Sequence, residues 1–404
     1  MSQYNILPVE EAFAIIRSVV RPLDPERVET AAADGRILAE DVSSTENVPP
    51  FRASTVDGFA VVADDPARSK HVVQEITAGA LAGPTLLIGT AARIMTGAPL
   101  PDGADAVVMI EDTHQEDGSV VLDHTVKHGE NVRPIGIDVA RGDVALRRGA
   151  VLNNAELGLL MTLGYTQVQC FRRPVVAVLS TGDELVEPWE DVPLGSIRDS
   201  NRYALMAAIR EAGGVPLSLG HARDDRDLQT QLLREGVEQA DVLITSGGVS
   251  VGDRDYIKPA LEELGKVHFG RIAFRPGMPL TFAEVGRALV FGLPGNPVSS
   301  LVTFEVFVRP TLRSLQGDPH PLRPRVEVEL EHEFQLGGSR LEYHRVIARW
   351  ADGRLLARST GSQISSRLLS MAGHNALAII PMGNGVVRAG ERLPAILTGP
   401  ILSE

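Results

Sequence analysis

The segment Ala240–Tyr256, ADVLITSGGVSVGDRDY, constrains this chain more than any other. Its apolar run, Val242-Leu243-Ile244, has the length and β-branched content of a buried strand, and Ser246-Gly247-Gly248 stops it. Adjacent glycines let a backbone aim N–H groups at a ligand with no Cβ in the way, which suits a phosphate or another oxyanion. Asp253 and Asp255 follow where the chain enters its next helix. Anion-binding amides beside carboxylates call for a cation such as Mg2+ between them.

Two more segments repeat the pattern. Pro174–Leu185 (PVVAVLSTGDEL) is an apolar strand ending in Thr181-Gly182-Asp183-Glu184, and Leu289–Ser299 (LVFGLPGNPVS) ends in Pro294-Gly295-Asn296-Pro297. Asn296 reads as an N-cap and Pro297 as a first helical residue, which predicts a helix over Val298–Val308. The N-terminus of such a helix attracts anions. Any one of these loops reads as an ordinary turn. Three in one α/β region point to a single pocket at the carboxyl edge of a sheet.

The rest of the chain frames that region. Spacings of three to four residues at Val9, Phe13, Ile16 and Val20 predict an amphipathic helix over Pro8–Val20. From Val61 to about Asp138, short apolar runs between Gly, Pro and Asp predict a small all-β domain. From Pro174 the text alternates strand and helix, which predicts a mostly parallel, doubly wound sheet covered on both faces. Gly317–Pro324 is a Pro-rich linker, and beyond it strand text with glycine turns predicts a small β-barrel. By pattern alone Asp57, just before Gly58, is a turn residue, and Asp224 and Asp225 are helix caps. His124 and His128 stand four apart, but strand-and-turn text without a third ligand weighs against zinc.

Composition excludes several classes of function. With 404 residues the chain is long for one core, so two to four domains are expected. A net charge of −13 and 4% aromatic residues disfavour nucleic-acid binding. No apolar run approaches a membrane span, and the N-terminal text lacks the layout of a secretory leader. A single cysteine, Cys170, precludes an internal disulfide and suits a reducing cytoplasm.

The motifs GRILAEDV, STVDGFA, RIMTGAPLPDG, STGDEL, TSGGVSVGDRDY, FGLPGNPVSS and TGSQISSRL occur in one order from end to end. In this the chain resembles the MoeA family of molybdopterin molybdenumtransferases, whose eukaryotic relatives include the gephyrin E domain. The resemblance implies a four-part subunit. Residues 1–45 and 141–172 would form an elongated linker domain, 46–140 a β-rich domain, 173–318 an α/β molybdopterin-binding domain and 325–404 a C-terminal β-barrel. It also implies a cytoplasmic homodimer that converts adenylated molybdopterin and molybdate to molybdenum cofactor. AMP is released, Mg2+ is required, and partner enzymes and molybdoenzyme acceptors stand upstream and downstream.

Carried over by motif, the family's functional positions fall on Asp57, Thr96, Asp138, Glu184, Asp224 and Asp255, with Glu184, Asp224 and Asp255 as metal ligands. Substrate contacts fall on Thr181, Gly182, Ser246, Gly247, Gly248, Ser250, Pro294, Gly295, Asn296, Pro297 and Ser299. Arg275, Arg345 and Ser362 complete the set, with Arg275 and Arg345 expected to hold the molybdate dianion together. Many relatives carry Lys at both the Arg275 and Met278 positions, so Met278 removes a charge there. Three rival readings share the pocket. They are a molybdopterin adenylyltransferase, a non-catalytic molybdopterin-binding scaffold, and a tungsten-handling paralogue that these residues do not distinguish.

Overall fold

The computed structural model describes residues 5–80, 83–248 and 256–403. It divides into two compact units, one of Met1–Arg27, Gly35–Ala39 and Gln169–Glu404, the other of Val28–Asp34 and Glu40–Val168. Helix α1 (Val9–Val19) belongs to the first unit and buries Val9, Ala12 and Ile16. Those residues join the α/β core, as the three-to-four spacing predicts.

The second unit holds the expected β-rich sheet. Its strands are β1 (Gly58–Val61), β2 (Ser69–Ile76), β3 (Thr90–Ile94), β4 (Ala106–Met109), β5 (Thr113–Glu116) and β6 (Ser119–Leu122), in the order β4-β1-β3-β2-β6-β5. Alternation in β6, with Val120 and Leu122 buried, marks the face it gives to the core. Helix α2 (Asn154–Thr162) starts at a capping box of Asn153 and Glu156.

The α/β part of the first unit runs β7 (Val175–Thr181), β8 (Leu185–Val186), β9 (Ile197–Arg198), α3 (Asn201–Glu211), β10 (Val215–Ala222), α4 (Arg226–Gln239), β11 (Val242–Ser246), α5 (Ile257–Leu264), β12 (Lys266–Phe269), β13 (Phe274–Arg275), β14 (Thr281–Val285) and β15 (Ala288–Leu293). The main sheet has the order β10-β7-β11-β15-β14-β12. Its first four strands are parallel, and β14 and β12 add antiparallel pairs. Strands β11 and β15 are buried throughout, and β7 from Val176 on, because helices cover both faces. The chain leaves β7 toward β10 on one side and returns to β11 on the other, so the crevice lies at the carboxyl ends of β7 and β11.

The helix predicted over Val298–Val308 is longer and less regular. It runs as α6 (Pro297–Thr303), a π-helical turn (Phe304–Val308) and α7 (Arg309–Leu315). Pro310 explains part of this. It lacks an N–H, and the wider turn before it leaves α7 to begin where that N–H is not required.

The barrel is closed by five strands: β16 (Arg325–Leu330), β17 (Leu341–Ala351), β18 (Arg354–Ser359), β19 (Ala376–Ile380) and β20 (Arg392–Leu397). Pairing runs β17-β18-β16-β20-β19 and back to β17. Closure leaves no free edge within that ring. Among the described residues no helix is long and apolar enough to cross a membrane.

Candidate functional site

The three strand ends converge as their glycine loops predict. Ser180 pairs with Ser246, and Ser246 with Leu293, so β7, β11 and β15 stop level with one another. Beyond them lies a cavity of about 610 Å³. Of the residues expected to bind or act there, Thr181, Gly182, Glu184, Asp224, Ser246, Gly247, Gly248, Pro294, Gly295, Asn296 and Pro297 line it. Ser250 and Asp255 lie outside the described residues.

Gly247 has φ +98°, and a Cβ there would stand 2.8 Å from both the carbonyl oxygen and Oγ1 of Thr181. Glycine is therefore what lets the end of β11 close onto the end of β7. The Oγ1 of Thr181 is buried and finds no partner among the described residues. A buried hydroxyl of this kind at a pocket wall is poised for a ligand.

Part of the amide cradle expected from the glycines is spent inside the protein. The N–H of Gly247 donates to the Leu293 carbonyl (3.0 Å) and that of Gly182 to the Ala222 carbonyl (3.1 Å). Pro297 has no N–H, and that of Val298 donates to the Ser365 carbonyl (3.1 Å). Asn296 occupies the N-cap position but does not cap. Its side chain donates instead to Ser365 Oγ (3.2 Å), in the loop that follows β18. The helix end thus holds the barrel loop rather than offering these groups to an anion.

Of the carboxylates expected to hold a metal, Glu184 and Asp224 line the cavity. Glu184 lies back over Gly182. Asp225, not Asp224, caps α4, accepting from Leu228 N, while the Asp224 N–H donates to Asp183 (3.1 Å). Among the described residues no three His, Cys, Asp or Glu side chains form a metal cluster. A pair fits Mg2+ nonetheless, since that ion commonly takes one or two carboxylates together with waters and substrate phosphates.

The barrel residues correct one expectation outright. Arg345 is fully buried on β17, with Nε and Nη2 donating to Ser370 Oγ (3.2 and 3.1 Å) and Nη1 without a partner among the described residues. Burial brings its guanidinium down to about 10. Arg275 pairs with Glu342 (2.7 Å), which stands three residues earlier on β17 and bonds His344. Alternation puts Glu342 and His344 on one face of the strand and Arg345 on the other. Arg275 and Arg345 therefore do not share one oxoanion site. Arg340 Nη1 approaches Met278 Sδ (3.9 Å), so a cation stands beside the methionine. Ser299 is buried in α6, Ser362 is half-buried, and it is Ser366 of that loop that reaches the cavity.

In the second unit, Asp57 is no hairpin turn. Its Oδ1 accepts from the Thr96 N–H (2.7 Å) and hydroxyl (2.8 Å). Those bonds, the backbone one foremost, hold its carboxyl below the usual range. Asp138 forms an ion pair with Arg133. His124 bonds Glu130 (2.8 Å), while His128 stands 3.7 Å from Asp105.

Comparison with known proteins places this geometry. Residues 7–164 match the MoeA N-terminal region (domain I and II), 177–314 a probable molybdopterin binding domain, and 327–398 the MoeA C-terminal region (domain IV). The molybdopterin molybdenumtransferase of a Nostoc species is 38% identical, over 96% of this chain and 93% of its own length. The Bacillus subtilis protein of that name is 36% identical, over 97% and 94%. The chain belongs to the MoeA family. A Dictyostelium discoideum gephyrin is 38% identical over 99% of this MoeA-family chain, which spans 63% of gephyrin's length. Two solved structures of molybdopterin biosynthesis MoeA proteins from Pyrococcus horikoshii, 32% and 28% identical, superpose with a TM-score of 0.84. They are matched over 98% and 97% of this chain and 100% of their own length.

The family motifs do not point to every residue of the cavity. Ile197, Arg198, Asp199, Ser200, Asn201 and Pro279 also line it. Asn201 Nδ2 ties two loops together, donating to Ser246 Oγ (2.8 Å) and to the Gly295 carbonyl (2.7 Å). Asp199 is buried, accepting from Ser180 Oγ (3.1 Å) and from Arg202 Nε (2.9 Å). The run Ile197–Asn201 reads in sequence as a polar loop before a helix. Only the return of the chain to β7 makes it a wall.

Proposed function

We propose that this protein catalyses the last metal-loading step of molybdenum cofactor biosynthesis. Adenylated molybdopterin and molybdate are its substrates, and the molybdenum cofactor and AMP are its products. The observation that carries this reading is the cavity at the ends of β7, β11 and β15, with an unpartnered Thr181 hydroxyl beside Glu184 and Asp224. It lies in a chain aligned over nearly the full length of proteins named for molybdenum transfer.

Each group has work in that reaction. Cleaving the phosphoanhydride of the adenylate requires negative charge to be neutralised on phosphate and an oxygen nucleophile to be oriented. Glu184 and Asp224, with Asp255, would hold Mg2+, which when bound supplies phosphate neutralisation and a polarised water. The Thr181 and Ser246 hydroxyls orient phosphate oxygens, and Asn201 fixes the two loops that carry Ser246 and Gly295. Arg345, buried without a carboxylate partner among the described residues, supplies the charge that a molybdate dianion needs, and Ser362 and Ser299 are assigned to the same ligand by motif. Asp57, Thr96 and Asp138 belong to the same reaction in this reading. The four-part division given above, a homodimer and a cytoplasmic place go with it.

The test is AMP release from adenylated molybdopterin by the purified full chain with Mg2+, with and without molybdate. Molybdate-stimulated release, with molybdenum retained on the pterin, is expected. Tight pterin binding without release under any oxoanion would sink the reading in favour of a scaffold. ATP-dependent adenylation of molybdopterin would move it to the adenylating step.

A further inference from the structure

We propose that Arg198 is the cation that receives the nucleotide phosphate in this pocket, which makes it a specificity residue of the site. The inference rests on the reading above and goes beyond it. It starts from the charges on the cavity wall. Three carboxylates line the cavity, Glu184, Asp199 and Asp224, but only one guanidinium, that of Arg198, among the described residues. Arg202 neutralises Asp199 from behind, at 2.9 Å. An anionic substrate entering such a wall meets like charge unless a cation answers it.

The backbone answers it only in part. The N–H groups of Gly182, Gly247 and Val298 are bonded within the protein, and Pro297 has none. Recognition of phosphate therefore draws on side chains as well as amides. Of these, Arg198 brings the positive charge that strengthens a hydrogen bond to phosphate oxygens.

Arg198 is mounted for that task. Its Nε donates to the Pro188 carbonyl (2.9 Å) and its Nη2 to the Glu190 carbonyl (3.2 Å). Carbonyls orient a guanidinium without cancelling its charge, and among the described residues Arg198 forms no ion pair with a carboxylate. The strand that bears it is fixed on both sides. Val186 pairs with Arg198, and the Asp199 N–H donates to the Val186 carbonyl (2.9 Å). Behind them Arg202 binds Glu187 and Asp199 in a mostly buried network that also reaches Tyr203 and Ser218. A cation held this way loses little freedom when a ligand arrives.

Calorimetric binding of AMP with Mg2+, and of molybdate separately, tests this on the full chain as wild type, Arg198→Gln and Arg198→Lys. Loss of one charge-assisted contact predicts AMP binding weaker by about tenfold in Arg198→Gln. Arg198→Lys should recover most of that loss, with molybdate binding unchanged in both variants. Lysine restores the charge but cannot hold two carbonyls through one fork. Failure of Arg198→Lys to rescue would therefore assign the residue to holding the Pro188–Glu190 turn and overturn the proposal. So would equal AMP affinity in Arg198→Gln, or a loss confined to molybdate. Wild-type protein that binds no AMP would overturn the transfer reading, and this assignment with it.

Discussion

Replacing Gly247 with alanine tests how tightly the strand ends close on one another. At φ +98° an L-residue is strained, and the added methyl would stand 2.8 Å from the Thr181 carbonyl oxygen, a backbone atom that cannot rotate away. Gly286, in the turn between β14 and β15 of the same sheet, supplies the control. Its φ is +61°, and a Cβ there would meet nothing within 4 Å. Alanine in the left-handed region costs about 1–2 kcal/mol, which is all that Gly286→Ala should lose. Gly247→Ala adds overpacking of about 1–3 kcal/mol, for a total of about 2–5 kcal/mol. The difference between the two isolates the contact from the backbone strain. Equilibrium urea unfolding, followed by far-ultraviolet circular dichroism on both variants and wild type, measures it. If the two variants agree within about 0.5 kcal/mol, β11 does not close on Thr181 as described.

Other perturbations follow from the same geometry. Asn201→Ala removes two hydrogen bonds near solvent, about 1–2 kcal/mol in all, and should raise the KM for adenylated molybdopterin several-fold with little change in melting temperature. An unchanged KM would show that the loops hold without it. Arg345→Met should stabilise the ligand-free protein by about 1–3 kcal/mol, because it removes a buried guanidinium that has no carboxylate, while abolishing the response to molybdate. A lower melting temperature would show that the buried charge is already compensated. Burial lowers the His344 and His374 imidazoles below their usual value, so the fold favours their neutral forms. Their contribution is whole above about pH 6.5 and is lost as pH falls through the lowered value. Melting temperature should therefore drop between pH 8 and pH 5.5, and drop less in His374→Asn. Parallel curves would remove His374 from the account.

The strand ends were legible because physics writes them locally. A buried parallel strand must be apolar along its whole length, and glycine is what stops it, so β7, β11 and β15 stand out in the text. The use of those glycines was not legible. Whether a loop N–H faces a ligand or a neighbouring carbonyl depends on which strand lies beside it, and the bonds of Gly182 to Ala222 and Gly247 to Leu293 are tertiary. Arg275 and Arg345 were joined wrongly for a related reason. Sequence text does not fix where this strand starts, and β17 begins at Leu341. With its true start known, alternation alone separates the two faces. Asn201 stayed hidden because its partners come from β11 and the loop after β15, and Arg198 because only the folded chain brings it to the cavity wall.

The π-helical turn at Phe304–Val308 carries a consequence for the length of the gene rather than for its spelling. Such a turn is what an α-helix makes of one surplus residue. Dropping a residue inside the turn would let it close to regular geometry with both flanking helices keeping their faces, whereas dropping one from the regular turns of α6 would swing everything after it by about 100° around the axis. In that second case Leu312 and Leu315, now buried in the α/β core, would leave it. Descendants of this chain can thus lose one codon within Phe304–Val308 and keep their core, whereas the same loss in Pro297–Thr303 does not spare it.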